Sequence, residues 1–190
     1  MAATDQKTLK WQRQIQRACD RIKPWYPKAI LLIGSMARYL LSIDTDQIPN
    51  DIDLLVVVDN PLLDFTTRSN ELPIEMHRFK TDEIVQIAYW LRYDAKPVAL
   101  SRLYGKNVIK QHSRDVIAAA LLLGDGYSDF GLEQIEIDGQ IDTRDYSIHQ
   151  VLYGKRWWQA LRRYASGRRG PLGWITDKMF HLDRFELKGG

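Results

Sequence analysis

Cysteine is nearly absent, long apolar runs are missing, and net charge is low. Cys19 is the single cysteine in 190 residues, so no internal disulfide can form, which fits a reducing compartment. No apolar run approaches the roughly 18 residues that a membrane span requires. The N-terminal MAATDQKTLK lacks the apolar core of a secretory signal. The expectation is a cytoplasmic protein with no membrane partner. There is no internal repeat and no low-complexity segment. What remains is a globular composition, 45% hydrophobic and 27% charged, in a chain long enough for one sizeable core or for one domain with an appendage.

The net charge of +3 is unevenly spread. Residues 146–190 hold nine Lys/Arg against three Asp/Glu, a net of +6, which leaves −3 for the first 145 residues. An acidic front suits a metal ion, and a basic tail suits a phosphate-bearing ligand or simply a solvated helix face.

Apolar periodicity organises the front of the chain. Trp11, Ile15, Ala18 and Ile22 recur at helical spacing, so a helix is expected over 5–23, with Cys19 among its core positions and Pro24 and Pro27 ending it. Ala29 to Ile33 is a short continuous apolar run, as in a strand covered on both faces. Gly34-Ser35 then turns into a helix over about 36–43, and Asp51 to Asp59 reads as a strand. A third strand is expected over 73–79. A helix capped at Thr81 follows, carrying Ile84, Ile87, Ala88 and Leu91. A helix near 97–104 and a strand over 106–110 are expected to close the sheet. Helices are then expected over 112–123 and over 146–165, with a boundary near residue 110.

Asp51 and Asp53 are the unusual feature of the second strand. Side chains two apart on a strand share a face, so two carboxylates would stand together and repel. A divalent cation reverses that penalty, and Mg²⁺ completes its shell with water and phosphate oxygens. Gly34 and Ser35 supply a complement. Glycine admits close backbone approach, the helix start offers free N–H groups, and the Ser35 hydroxyl is a further donor. Each part has a plainer counterpart, a helix cap for Gly-Ser and a solvated strand start for Asp-Ile-Asp. Strand, Gly-Ser, helix and Asp-x-Asp in this order read together as an apparatus for a metal-bound triphosphate.

The stretches "PWYPKAILLIGSMAR" and "NDIDLLVVV" resemble the polymerase-β-like nucleotidyltransferase superfamily, closest to its minimal nucleotidyltransferase branch. The resemblance covers residues 10–110. Tyr39 departs from it, standing where the family usually has glycine, and the interval from Ser35 to Asp51 is a residue or two longer than the family's. The resemblance implies an α+β fold, a mixed β-sheet flanked by helices, in a nucleotidyltransferase domain over 1–110; the helices expected beyond it make 111–190 a mainly helical C-terminal region outside the resemblance. It implies Mg²⁺-dependent transfer of a nucleotidyl group from a nucleoside triphosphate, ATP being the expected one, to a hydroxyl on a small molecule, a protein or an RNA end. Asp51 and Asp53 would ligate two Mg²⁺ ions, and Gly34 and Ser35 would hold the β/γ phosphates.

The family's two-metal mechanism also needs a third acid on a neighbouring strand. Glu75 in "LPIEMHRF" fills that place, with an exposed edge-strand residue as the alternative. His77 shares its face, either as a base, as a metal neighbour or as a partly exposed strand residue. Arg38 reaches phosphate or is a surface arginine, and Asp44 and Asp46 read as loop residues. In the tail, Trp157, Trp158, Leu161 and Tyr164 are interleaved with Lys155, Arg156, Arg162 and Arg163, and Trp157, Leu161 and Tyr164 follow helical spacing. That is a core stripe with solvated cations, or a surface that stacks bases and tracks phosphates. "RDYSIH" has the Arg-x4-His spacing of HEPN ribonucleases without the surrounding helical pattern. Two other functions therefore stand beside the enzyme. One is a catalytically degenerate module binding a nucleotide or a protein partner, and the other is a nucleic-acid-binding protein led by its tail.

Overall fold

The computed structural model describes residues 2–42, 45–60, 66–94 and 149–166, with the isolated positions 117, 120, 121, 136, 137, 140, 141 and 180. The elements in chain order are α1 (Ala2–Ile22), β1 (Ala29–Ile33), α2 (Gly34–Leu40), β2 (Ile52–Val57), β3 (Ile74–Phe79), α3 (Thr81–Asp94), β4 (Glu136–Ile137), β5 (Gln140–Ile141), β6 (Gln150–Tyr153) and α4 (Lys155–Ala165). The fold is α+β, with a four-stranded mixed sheet in the order β3-β2-β1-β6 flanked by helices. β1 runs antiparallel to β2 and β6, while β2 and β3 are parallel. β4 and β5 form a separate two-stranded ladder.

The chain divides into two compact units. The first comprises 1–81 with 148–155, and the second comprises 82–147 with 156–190. The expected boundary near 110 lies outside the described residues, as do the helix near 97–104 and the strand over 106–110. Of the helix expected over 112–123, Ile117, Ala120 and Leu121 are described, and they are helical and buried.

In the first unit, strand alternation sorts the sheet into two faces. Ile30, Leu32, Ile52, Leu54 and Val56 are fully buried and share a core with Trp11, Ile15, Ala18, Cys19 and Ile22 of α1 and with Met36 and Ala37 of α2. The expected apolar stripe of α1 is therefore the one that meets the sheet. Polar groups of the same helix hold the chain leading into β3. Lys10 donates to the Asn70 carbonyl at 2.8 Å, and Arg17 pairs with Glu71. Gln14, 2% exposed, donates to the Leu72 carbonyl at 2.6 Å and accepts from its N–H at 3.3 Å. A buried amide needs such partners, and here they fix where β3 starts.

The helix expected over 146–165 is not continuous. Gln150–Tyr153 is a strand paired with β1, and the helix begins only at Lys155. Gly154 separates the two. Its φ of +75° is left-handed, and an added Cβ would lie 1.9 Å from the Lys28 carbonyl oxygen. A right-handed helix cannot pass through that residue.

In the second unit α3 buries Ile84, Val85, Ile87 and Ala88. α4 buries Trp158, Leu161, Tyr164 and Ala165, so Trp158 leads the buried stripe and Trp157 is half-buried at its edge. Trp157 meets Phe180 edge-on at 5.9 Å, and Phe180 lies 6.0 Å from Tyr164.

Candidate metal centre

The parallel register of β2 and β3 sets Asp53 opposite Glu75 and Leu55 opposite His77. Opposed residues in a ladder point to the same face, and His77 lies two positions beyond Glu75, so the three polar side chains converge. Leu31, Leu55 and Val57 on the same face are fully buried, which leaves the acids at the polar end of an otherwise apolar surface. Asp53 and His77 keep side-chain exposures of 20% and 13%, with His77 Nε2 3.9 Å from Asp53 Oδ1. Glu75 is exposed. Among the described residues, Asp53, Glu75 and His77 each offer a ligand atom, all within 4.8 Å of one another, a grouping that could hold a metal ion.

Gly34 forms the other wall. Ile33 pairs with Asp53 across the antiparallel β1–β2 ladder, and the chain turns at Gly34 directly into α2. Gly34 has φ +70°, and an added Cβ would lie 2.5 Å from Asp53 Oδ2. Glycine is needed here twice over, for the left-handed backbone and for the space the carboxylate occupies.

The other candidates sit around this centre in different ways. β2 begins at Ile52, whose N–H donates to the Pro73 carbonyl at 2.9 Å. Asp51 therefore lies in the bend before the ladder, half-buried and outside the three-residue group. Ser35 and Arg38 are half-buried on α2, which starts at Gly34 and spans seven residues. Tyr39 has a packing role, its ring meeting Trp11 edge-on at 5.5 Å. Asp46 is exposed in the loop, and Asp44 lies outside the described residues. Gln14 was not marked by periodicity. The signal for it was a polar residue inside the apolar stripe between Trp11 and Ile15.

No helix among the described residues is long and apolar enough to cross a membrane. Comparisons of the chain with protein-family models, curated proteins and solved structures find no match.

Proposed function

We propose that the protein is a Mg²⁺-dependent nucleotidyltransferase of polymerase-β-like fold, acting from a nucleoside triphosphate on a hydroxyl acceptor. The observation that carries this reading is the rung Asp53–Glu75 on adjacent parallel strands, with Gly34 against the Asp53 carboxylate. Asp53 would ligate the metal, Asp51 would add a carboxylate from the bend before β2, and Glu75 would be the third acid. Gly34 and Ser35 line the approach of the triphosphate. Bound Mg²⁺ would neutralise the triphosphate and lower the pKa of the acceptor hydroxyl. The hydroxyl oxygen forms the new bond to the α-phosphorus, the α–β bridge breaks, and pyrophosphate leaves. Glu75 takes or relays the hydroxyl's proton.

The deciding experiment incubates the protein with each labelled triphosphate and a cell lysate, following Mg²⁺-dependent pyrophosphate release and the labelled product. Asp53→Asn is expected to abolish release while leaving the thermal midpoint unchanged or slightly higher, because it also removes a like charge beside Glu75. Glu75→Gln keeps size and hydrogen bonding, so triphosphate binding persists while transfer falls about 10²-fold or more, the scale of losing a positioned base. Transfer at the wild-type rate by Glu75→Gln removes that residue from the mechanism. A wild type that transfers nothing to any lysate component leaves a second reading, a metal- or nucleotide-binding module without turnover. That reading is favoured by the place of Asp51 outside the three-residue group. The nucleic-acid-binding reading of the tail has lost two of its stacking rings, because Trp158 and Tyr164 are buried.

A further inference from the structure

The geometry points to a first-row transition ion, bound by Asp53, Glu75 and His77 together, as the preferred occupant of this centre over Mg²⁺. The inference rests on the metal-dependent reading of the same site and revises its ion, putting a transition ion in the place given above to Mg²⁺. A pair of carboxylates alone is a hard oxygen site, suited to Mg²⁺. An imidazole changes the donor set, because nitrogen favours borderline ions and Mg²⁺ keeps water in its place. His77 is part of the group by construction of the sheet. It follows Glu75 by two residues on β3, its rung partner Leu55 follows Asp53 by two on β2, and its Nε2 is 3.9 Å from Asp53 Oδ1.

Ligand atoms already within 4.8 Å of one another need only small side-chain rotations to meet one ion at the usual bond lengths of about 2.0–2.2 Å. All three ligands stand on ladder-bound strands, not on loops, so little order has to be gained on binding. Two oxygens and one nitrogen from the protein leave positions open for water or substrate, as catalytic sites require. The affinity of such a set should rise from Mn²⁺ to Co²⁺ and fall short of Cu²⁺ at Zn²⁺, with Mg²⁺ weaker than all four.

The test is titration calorimetry of the full chain with MgCl₂, MnCl₂, CoCl₂ and ZnCl₂, repeated on His77→Gln and His77→Asp. The wild type is expected to bind Co²⁺ and Zn²⁺ at least tenfold more tightly than Mg²⁺. His77→Gln should lower Co²⁺ and Zn²⁺ affinity by about tenfold or more, at least the loss seen when a group behind a ligand is removed, and change Mg²⁺ affinity by less than about twofold. His77→Asp should raise Mg²⁺ affinity relative to Zn²⁺, since it restores an all-oxygen set. Should neither variant fold, the wild type still decides: Zn²⁺ must shift the His77 imidazole resonances in an NMR titration, and Mg²⁺ must not. A parallel loss for all four ions in His77→Gln, or no loss for any, overturns the assignment. The two levels fail separately. His77-dependent Zn²⁺ binding without nucleotidyl transfer defeats the proposed activity alone, whereas Mg²⁺-supported transfer indifferent to His77 defeats the ion assignment alone.

Discussion

Two glycines follow two neighbouring strands of the sheet, β1 and β6, with almost the same backbone angle and different obstacles. Gly34 (φ +70°) turns the end of β1 into α2, and the atom in the way of a Cβ is a carboxylate oxygen of Asp53. Gly154 (φ +75°) turns the end of β6 into α4, and the atoms in the way belong to the backbone of Lys28 and Ala29. A side chain can swing aside, whereas a strand backbone held in a ladder cannot. The glycine after β1 therefore makes room for a reactive group, and the glycine after β6 closes the sheet.

Gly154→Ala gives the largest effect. Left-handed φ alone costs roughly 1–2 kcal/mol for an alanine, and a contact of 1.9 Å with a carbonyl oxygen forces β1 or the β6–α4 turn to move as well. A loss of about 3 kcal/mol or more is expected, read as a lower urea midpoint. Metal affinity of the molecules that remain folded should be unchanged. An unaltered midpoint would mean that the β6 turn is held less tightly than its geometry implies.

Gly34→Ala reverses that pattern. The left-handed cost is the same, about 1–2 kcal/mol, but the clash is relieved by rotating Asp53. The rotation moves a metal ligand, so divalent-ion affinity should fall about tenfold, the scale on which metal sites respond to misplaced ligands. Calorimetry and denaturation on both glycine variants form one experiment. If Gly34→Ala loses more stability than Gly154→Ala, or keeps full metal affinity, the division of labour between the two glycines is wrong.

The same contrast explains what could be read from the sequence. α1, β1, β2 and β3 carry their own periodicity: Trp11, Ile15, Ala18 and Ile22 for the helix, and the alternating Ile52, Leu54 and Val56 for β2. Their local pattern and their burial agree. β6 has no such independence. Val151, Leu152 and Tyr153 fit a helix as well as a strand until β1 is beside them, and pairing across more than a hundred residues leaves no local trace. At the centre, alternation put Glu75 and His77 on one face, and the parallel register then placed Glu75 level with Asp53. Asp51 was expected on the same face as Asp53 because a strand was read from residue 51. The ladder begins one residue later, after the Ile52–Pro73 hydrogen bond.

The smallest expected effect concerns the only thiol. Cys19 lies in the core of α1, 5% exposed, and lines a cleft of about 270 Å³ with Ile15, Leu40, Gln150 and Leu152, on the β6 side of the sheet. Burial pushes its pKa up from 9.0 to about 11, against the opposing pull of the Lys23 cation. The sign follows from which state holds the proton. Between pH 9 and 11 the unfolded chain loses the thiol proton while the folded chain keeps it, so the contribution is full below about pH 9 and disappears as the pH rises to about 11. The wild type should therefore lose stability more steeply over that window than Cys19→Val, in which nothing titrates at this position. Thiol-directed reagents near neutral pH should label the native protein slowly and the urea-unfolded protein quickly, because the thiolate is the nucleophile. Parallel stability slopes for wild type and Cys19→Val would show that the thiol is hydrated in its cleft. The β6 side would then have a chemically open position, and its contrast with the Asp53 centre would weaken.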